Sequence, residues 1–565
     1  MGIILGISGL TDHDSSAALL KDGIVLAAAA EERFTRVKHD SRFPQNAIAF
    51  CLNRAGIGIN NVSDITIGFD ASLKVAFPVS ACLKLLKHIY YPEKIKEHFW
   101  YYSWWRGASN KAIQCTRDLF GKDMTITPVE HHQCHAATAF LLSGFGKAAI
   151  ITIDGTGERA TMTMGCGKGS KIERIIQIDR PDSLGLLYSE VTRYLGFKYF
   201  DEYKVMGLAA YGTPVLVEAF KNIVRIEKRG RFCLNKKYFI YYADNLVGLT
   251  DRFFREFGMP RKPGEVISQQ HKDIAFALQK TLEDVICHSA NYICDQTGET
   301  DLCISGGVSL NGMAVGSVLK RTKFKRIFVD PSPDDSGTAL GSALYRHHLN
   351  NGTQRSNTIP ANYWGPEFSE EDICHAIDRC KIISKRCADP ASEAAKLVAG
   401  GAVVGWFQGR MEWGQRALGN RSILADPRRK DMREIVNRCV KNREDFRPFA
   451  PSVTHEDAFR YFDMLQADIP YMNIVVPALQ KTIELLPSVV HVDGTARVHT
   501  VRKDDNPLFW KFLRKMEKIT GFPILLNTSF NVSNEPIVCT PEDAIRCFFG
   551  SGMDSLFLGN YLVVK

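Results

Sequence analysis

No apolar run in this chain reaches the roughly 18 to 20 residues needed to span a bilayer, so no transmembrane segment is expected. The N-terminus, Met1-Gly2-Ile3-Ile4-Leu5-Gly6, lacks the cationic region and cleavage site of a secretory signal and reads as a first strand. No C-x-x-C pair occurs among the 15 cysteines, whose number is odd. That excludes a disulfide or zinc framework and indicates reduced, buried thiols in a cytoplasmic protein. Nor is there a dense block of one charge. The net charge of +9 is spread over 565 residues. No nucleic-acid partner is expected from it, since small phosphate-bearing substrates explain the local cationic clusters equally well. What is present, 45% hydrophobic and 24% charged residues, is ordinary globular composition, at a length that calls for two or more domains.

The stretch Val129 to Phe140, preceded by Pro128, reads as the start of a helix. Residues four apart on a helix lie about 40° apart around its axis. His131 and His135 can therefore grip one metal ion, and so can His132 and His135, three apart. No Glu follows the first histidine, so the H-E-x-x-H protease mechanism lacks its base. A third ligand lies downstream. Ile327 to Asp330 looks like a buried strand, Pro331 to Gly337 breaks it, and a helix of small residues begins at Thr338. A carboxylate in such a turn projects beyond the strand ends, where open α/β sheets bind ligands. Two histidines, one carboxylate and open positions suit non-haem iron, Fe(II), or a similar divalent ion.

The first 30 residues read as strand, polar turn, strand, hairpin at Lys21-Asp22-Gly23 and returning strand. Ala148 to Ile153, the turn Asp154-Gly155-Thr156-Gly157-Glu158 and Ala160 to Met164 repeat the opening pattern. Two such units predict a duplicated actin/hexokinase-like (ribonuclease H-like) α/β fold, with both turns facing a nucleotide. Glycines in the second turn let backbone amides approach phosphate, although the same residues also make a plain hairpin. The first turn holds His13 and Asp14, an Asx turn or a catalytic pair with Asp14 as base or orienter. Ser305-Gly306-Gly307-Val308, between a strand and a helix, allows close approach to a nucleoside or phosphate. Residues 76–115, rich in aromatic and basic side chains including Tyr90, Trp100, Trp104 and Trp105, form either an internally packed helical insertion or an acceptor or homodimer surface.

A polar segment at 351–365 is the expected linker between domains at 1–350 and 366–565. Beyond it, Gln408 to Ser422 is a glycine-punctuated turn with three arginines, and Lys441 to Pro451 adds three cations. Asn527-Thr528-Ser529-Phe530-Asn531 ends a strand with amide and hydroxyl groups. Cations so crowded repel unless an anion or carboxylates sit among them. Phosphate, gripped by Arg and Lys, and a surface salt-bridged by Glu412, Glu444 and Asp445 both satisfy that requirement.

H-x-x-x-H, Ser-Gly-Gly-Val-x-x-Asn (Ser305 to Asn311) and Asp335-Ser336-Gly337 resemble the signature of the tRNA threonylcarbamoyl transferases. The whole pattern resembles more closely the O-carbamoyltransferases that act on antibiotics, toxins and nodulation factors. The resemblance implies His131, His135 and Asp335 as metal ligands, and it places His13 and Asp14 in a catalytic cleft, with Lys38 in a run from Glu31 to Asp40 near that cleft which the family shares. It implies nucleotide or adenylate binding by Asp154, Gly155, Thr156, Gly157, Lys204, Gly207, Gly306, Gly307, Val308 and Asn311. The second half resembles the YrdC-like threonylcarbamoyl-adenylate synthases, a twisted open α/β fold. There Arg416, Arg421, Lys441, Arg443, Arg447, Arg497, Asn527 and Ser529 would hold carbamoyl phosphate and ATP. The implied reaction makes carbamoyl-adenylate from carbamoyl phosphate and Mg-ATP and passes the carbamoyl group to a hydroxyl of a natural-product acceptor. A tRNA-modifying transferase, which needs a tRNA surface, and an actin-like ATPase or sugar kinase, which would release ADP, are the alternatives.

Overall fold

The structure, a computed structural model, describes residues 2–9, 13–70, 72, 107, 110–121, 124–242, 245–351 and 358–565. The aromatics from Tyr90 to Trp105, and residues 352–357 of the expected linker, lie outside the described residues. The chain divides into two compact units. One comprises Met1–Glu31 and His39–Ile359, the other Glu32–Lys38 and Pro360–Lys565.

The first unit contains two five-stranded sheets. One is built from β1 (Ile3–Ser8), β2 (Ser16–Lys21), β3 (Ile24–Ala30), β4 (Asp64–Ile67) and β5 (Ile126–Pro128), in the order β3-β2-β1-β4-β5. The other is built from β6 (Lys147–Ile153), β7 (Ala160–Lys168), β8 (Lys171–Asp179), β9 (Asp301–Ser305) and β10 (Arg326–Val329), in the order β8-β7-β6-β9-β10. In each, the first three strands are antiparallel and the last two run parallel to the first. The second sheet thus repeats the first strand for strand, the duplicated ribonuclease H-like architecture. β1, β2 and β6 are buried on both faces, which is why they read as unbroken apolar runs.

Equivalent helices follow the last strand of each sheet: His131–Leu142 after β5 and Gly337–Asn351 after β10. Pro128 does not start the first of these. It ends β5, and Glu130 is the N-cap, its carboxylate accepting from the Gln133 amide at 2.7 Å. The two helices touch backbone to backbone. A Cβ on Gly341 would lie 2.2 Å from the Cys134 carbonyl oxygen and 2.4 Å from Thr138 Oγ1.

The second unit is built on an eight-stranded mixed sheet of β11 (Ser384–Arg386), β12 (Val404–Phe407), β13 (Arg421–Ala425), β14 (Ala450–Thr454), β15 (His499–Val501), β16 (Ile524–Ser529), β17 (Ser555–Leu558) and β18 (Tyr561–Val564). Their order is β11-β18-β17-β12-β13-β16-β14-β15. Trp406 packs on Phe512 and Phe557 with ring centroids 5.0 and 5.6 Å apart, amid Val404, Leu424, Phe509 and Leu525. Residues 32–38, which the sequence places in the first domain, belong here. Phe34 packs on Met411, Ile537 and Cys539, Arg33 donates to the Gly414 carbonyl at 3.1 Å, and Arg36 donates to the Pro536 and Ile537 carbonyls at 2.7 Å. Among the described residues no helix is long and apolar enough to cross a membrane.

Candidate functional site

His131 and His135 lie one helical turn apart, with their Nε2 atoms 3.0 Å from each other. Asp154, at the end of β6, brings Oδ2 to 2.9 Å from His135 Nε2 and 3.3 Å from His131 Nε2. Asp335, in the turn after β10, brings Oδ1 to 3.5 and 4.0 Å from the same nitrogens. One ligand atom from each of the four lies within 4.8 Å of the others. Two imidazole nitrogens aimed at each other between two carboxylates could hold a divalent cation. Burial works against a charged His131, yet the carboxylates of Asp335, Asp154 and Glu158 outweigh it and push its pKa up to about 10. A cation among the same carboxylates would take that proton's place. His135, equally buried and beside His131, is pushed down. Asp154 is held well below the usual carboxylate range, since hydrogen bonds from both histidines override its burial.

His132, which spacing alone leaves open, faces the other way. Its Nε2 donates to the Ala160 carbonyl at 2.9 Å and its Nδ1 accepts from Thr152 Oγ1 at 2.7 Å; burial lowers its pKa to about 3. His135 is steadied from behind. Its Nδ1 lies 3.4 Å from Ser305 Oγ, which donates to Asp330 Oδ2 at 2.7 Å. Burial pushes the Asp330 carboxyl up to about 7. Sequence reasoning missed Ser305 and Asp330 in this role. It also placed Asp154 with the nucleotide rather than among the ligands.

His13 and Asp14, in the turn between β1 and β2, reach the same centre. His13 Nδ1 lies 2.9 Å from Asp14 Oδ2, and its Nε2 lies 3.8 Å from Asp335 Oδ2. Lys38 falls in the second unit, where its charge helps depress Lys441. The turn after β6 spends much of its own hydrogen bonding. The Gly155 amide donates to Asp154 Oδ1 and the Gly157 amide to the Ala160 carbonyl, while Thr156 Oγ1 donates to the Gly157 carbonyl. Gly306, at φ +92, has its Cβ position only 2.2 Å from the Ile153 carbonyl oxygen, and that of Gly307 lies 3.2 Å from Asp154 Oδ1. The two glycine turns therefore meet, with Val308 in the short helical turn that follows. Asn311 caps the next helix through its Oδ1 and donates to Gln279. Lys204 is ion-paired with Asp201 at 3.1 Å, and Gly207 is half-buried on the same helix.

In the second unit, Arg497 is pushed well below the usual arginine range by burial and by the neighbouring Arg416, Arg443 and Arg447. Its buried Nε has no hydrogen-bond acceptor. Four guanidinium groups within electrostatic reach of one another could grip a multiply charged anion. Lys441 Nζ donates to the Ser529 and Asn531 carbonyls at 2.7 and 2.8 Å and to Asn531 Oδ1. It thereby fixes the loop after β16. Arg421 is fully buried over the Phe407 ring, 3.7 Å from its centroid, and its Nη groups donate to the carbonyls of Gln408, Gly409, Asn420 and Pro366. Asn527, also buried, donates to the Ala417 carbonyl and Ser452 Oγ, anchoring the turn that carries Arg416. Glu412 accepts from the amides of Leu418 and Asn420 and shapes the same turn.

The chain is 40% identical to an uncharacterized protein, sll1178, of Synechocystis, over all of this chain and 96% of the relative. It is 38% identical to Nodulation protein NolNO of Sinorhizobium fredii, over 98% of this chain and 79% of that protein. It is 33% identical to Nodulation protein U of Rhizobium tropici, over 98% and 95%. Among solved structures, full-length HypF in its phosphate- and nucleotide-bound form aligns at TM-score 0.33 and 12% identity, over 62% of this chain and 56% of that one. Residues 3–344 match the family model described as carbamoyltransferase N-terminus and residues 395–565 that of carbamoyltransferase C-terminus, and on these matches the chain belongs to the carbamoyltransferase family.

Proposed function

We propose that the protein is an ATP-dependent O-carbamoyltransferase, which makes carbamoyl-adenylate in the second unit and passes the carbamoyl group to a hydroxyl of a small-molecule acceptor in the first. The observation that carries this reading is the His131/His135/Asp154/Asp335 centre with His13 and Asp14 beside it, in a member of this family. Carbamate is a poor electrophile, whereas its mixed anhydride with AMP has a good leaving group. In the second unit, Arg416, Arg443, Arg447 and Arg497 hold phosphate oxygens. Hydrolysis of carbamoyl phosphate releases orthophosphate and carbamate. The carbamate oxygen then attacks the α-phosphorus of ATP, and pyrophosphate leaves. In the first unit, His131, His135, Asp154 and Asp335 would hold a divalent cation, which when bound supplies positive charge to the adenylate phosphate. Asp14 fixes His13 through Nδ1. His13 Nε2 takes the proton of the acceptor hydroxyl as its oxygen attacks the carbamoyl carbon, the carbon–oxygen bond to the phosphate breaks, and AMP leaves.

The test is incubation with carbamoyl phosphate, Mg-ATP and a panel of hydroxylated acceptors, followed by mass spectrometry and nucleotide chromatography. The expected products are AMP, pyrophosphate, orthophosphate and an acceptor heavier by one carbamoyl group. ADP as the nucleotide product, or ATP turnover with no acceptor in the panel carbamoylated, overturns the reading.

A further inference from the structure

The run Glu31–Asp40 contains a histidine to which neither its spacing nor the proposed reaction gives a task. His39 Nδ1 lies 2.8 Å from Asp14 Oδ1, while His13 Nδ1 lies 2.9 Å from Asp14 Oδ2. One buried carboxylate thus bridges two imidazoles, one oxygen to each. Phe200 covers both: its ring stacks on His39 at 4.2 Å and 23° and meets His13 edge-on at 4.8 Å and 66°. The backbone is tied as well, the Ser15 amide donating to the Asp40 carbonyl at 2.8 Å. Asp14, His39 and Phe200 all have left-handed backbones, at φ +56, +55 and +68. Such conformations are uncommon for residues with side chains, most of all for a bulky ring, and persist only where surrounding contacts hold them.

We infer that His39, clamped under Phe200, is a positioning residue that fixes the Asp14 carboxylate and through it the imidazole of His13. A carboxylate paired with one imidazole is free to rotate and exchange oxygens; one gripped at both oxygens is not. His13 Nε2 is then held towards Asp335 without searching. Burial disfavours the Asp14 charge, but hydrogen bonds to both histidines override it and hold the carboxyl well below its usual range. The inference rests on the proposed transfer for its reaction and on geometry alone for the clamp.

Two measurements separate the clamp from the reaction. The first compares steady-state transfer by wild type, His39→Asn and His39→Phe. Asn keeps an N–H for Asp14 Oδ1; Phe keeps the ring against Phe200 but has no donor. His39→Asn should stay within about threefold of wild-type kcat. His39→Phe should lose about ten- to a hundredfold in kcat, with KM for the acceptor changed less than about twofold. Equal activity in all three, equal loss in both variants, or a change confined to KM overturns the inference. The second measurement needs no turnover. Proton NMR of the resting protein should show hydrogen-bonded imidazole N–H resonances, one lost in His39→Asn and that one also lost in Asp14→Asn. If no resonance depends on both residues, the clamp is wrong. If one does and wild type carbamoylates nothing, the clamp stands and the proposed reaction falls.

Discussion

A histidine must give up a proton to ligate a metal, and His131 keeps its proton up to about pH 10 in the metal-free centre. Loading should therefore release a proton. The apparent dissociation constant for Fe(II), measured by chelator competition, should fall about tenfold per pH unit from about pH 6 to 8; a flat profile contradicts the ligand set. His131→Ala and Asp335→Ala should lose the metal. His132→Ala should keep it and instead unfold more easily, by about 1 to 3 kcal/mol, because Thr152 and the Ala160 carbonyl lose their buried partner. Asp330 makes a separate pH test. Its folded pKa, about 7, lies above that of an unfolded aspartate, about 3.9, so the folded state binds more protons between the two. Stability contributed by the neutral carboxyl is present below about pH 4 and is lost as pH rises through about 7. Metal-free urea unfolding across that window should show this slope in wild type and a shallower one in Asp330→Asn. The histidine pair was legible in spacing, because helical geometry is fixed. The fourth ligand was not, since Asp154 opens an Asp-Gly-Thr-Gly turn whose glycines read as a phosphate loop. Arg421 shows the converse: charge in a cationic turn reads as binding, and only packing reveals that backbone carbonyls consume it.

The helix carrying His131 and His135 and the helix following Asp335 are held together by the absence of a side chain. Gly341→Ala would set a methyl against the Cys134 carbonyl at 2.2 Å, and backbone cannot swing away as a flexible side chain would. The helices must part, at a cost of about 1 to 3 kcal/mol. His131, His135 and Asp335 then no longer converge. A lower urea midpoint together with weaker metal binding is expected; unchanged metal affinity would mean the helix contact does not set the ligand geometry. The strands themselves were plain in the sequence, as β1, β2 and β6 are short apolar runs bounded by polar turns. The repeat was legible because both halves open with the same strand–turn–strand. What escaped was the cap of the helix carrying His131 and His135, which Glu130 supplies.

For the whole molecule, the expected division of labour is open to a rescue experiment. On the proposed reaction, Arg497→Ala would remove a phosphate anchor worth about 1.5 to 3 kcal/mol, or about ten- to more than a hundredfold in binding, and should abolish pyrophosphate release. Synthetic carbamoyl-adenylate should restore product formation in that variant and fail to restore it in His131→Ala. Rescue of neither, or the reverse pattern, separates the chemistry differently. Two domains were visible in the sequence from the polar stretch near residue 351, but the membership of residues 32–38 was not. Glu-Glu-Arg-Phe-Thr-Arg-Val-Lys has the look of a solvated surface, and its partners are remote. Arg36 bonds to the Ile537 carbonyl, 501 positions along the chain. That distance is also an interval of time. At about 5 to 20 residues per second, Phe34 and Arg36 leave the ribosome roughly 25 to 100 seconds before the segment that receives them. The strands on either side of 32–38 can pair as soon as they emerge, so the nascent chain must carry this segment exposed, apolar ring included, until the last part of the protein is made. Fragments cut near residue 360 make that wait permanent: the C-terminal piece lacks the ring that packs on Met411, Ile537 and Cys539, and the N-terminal piece displays it to solvent.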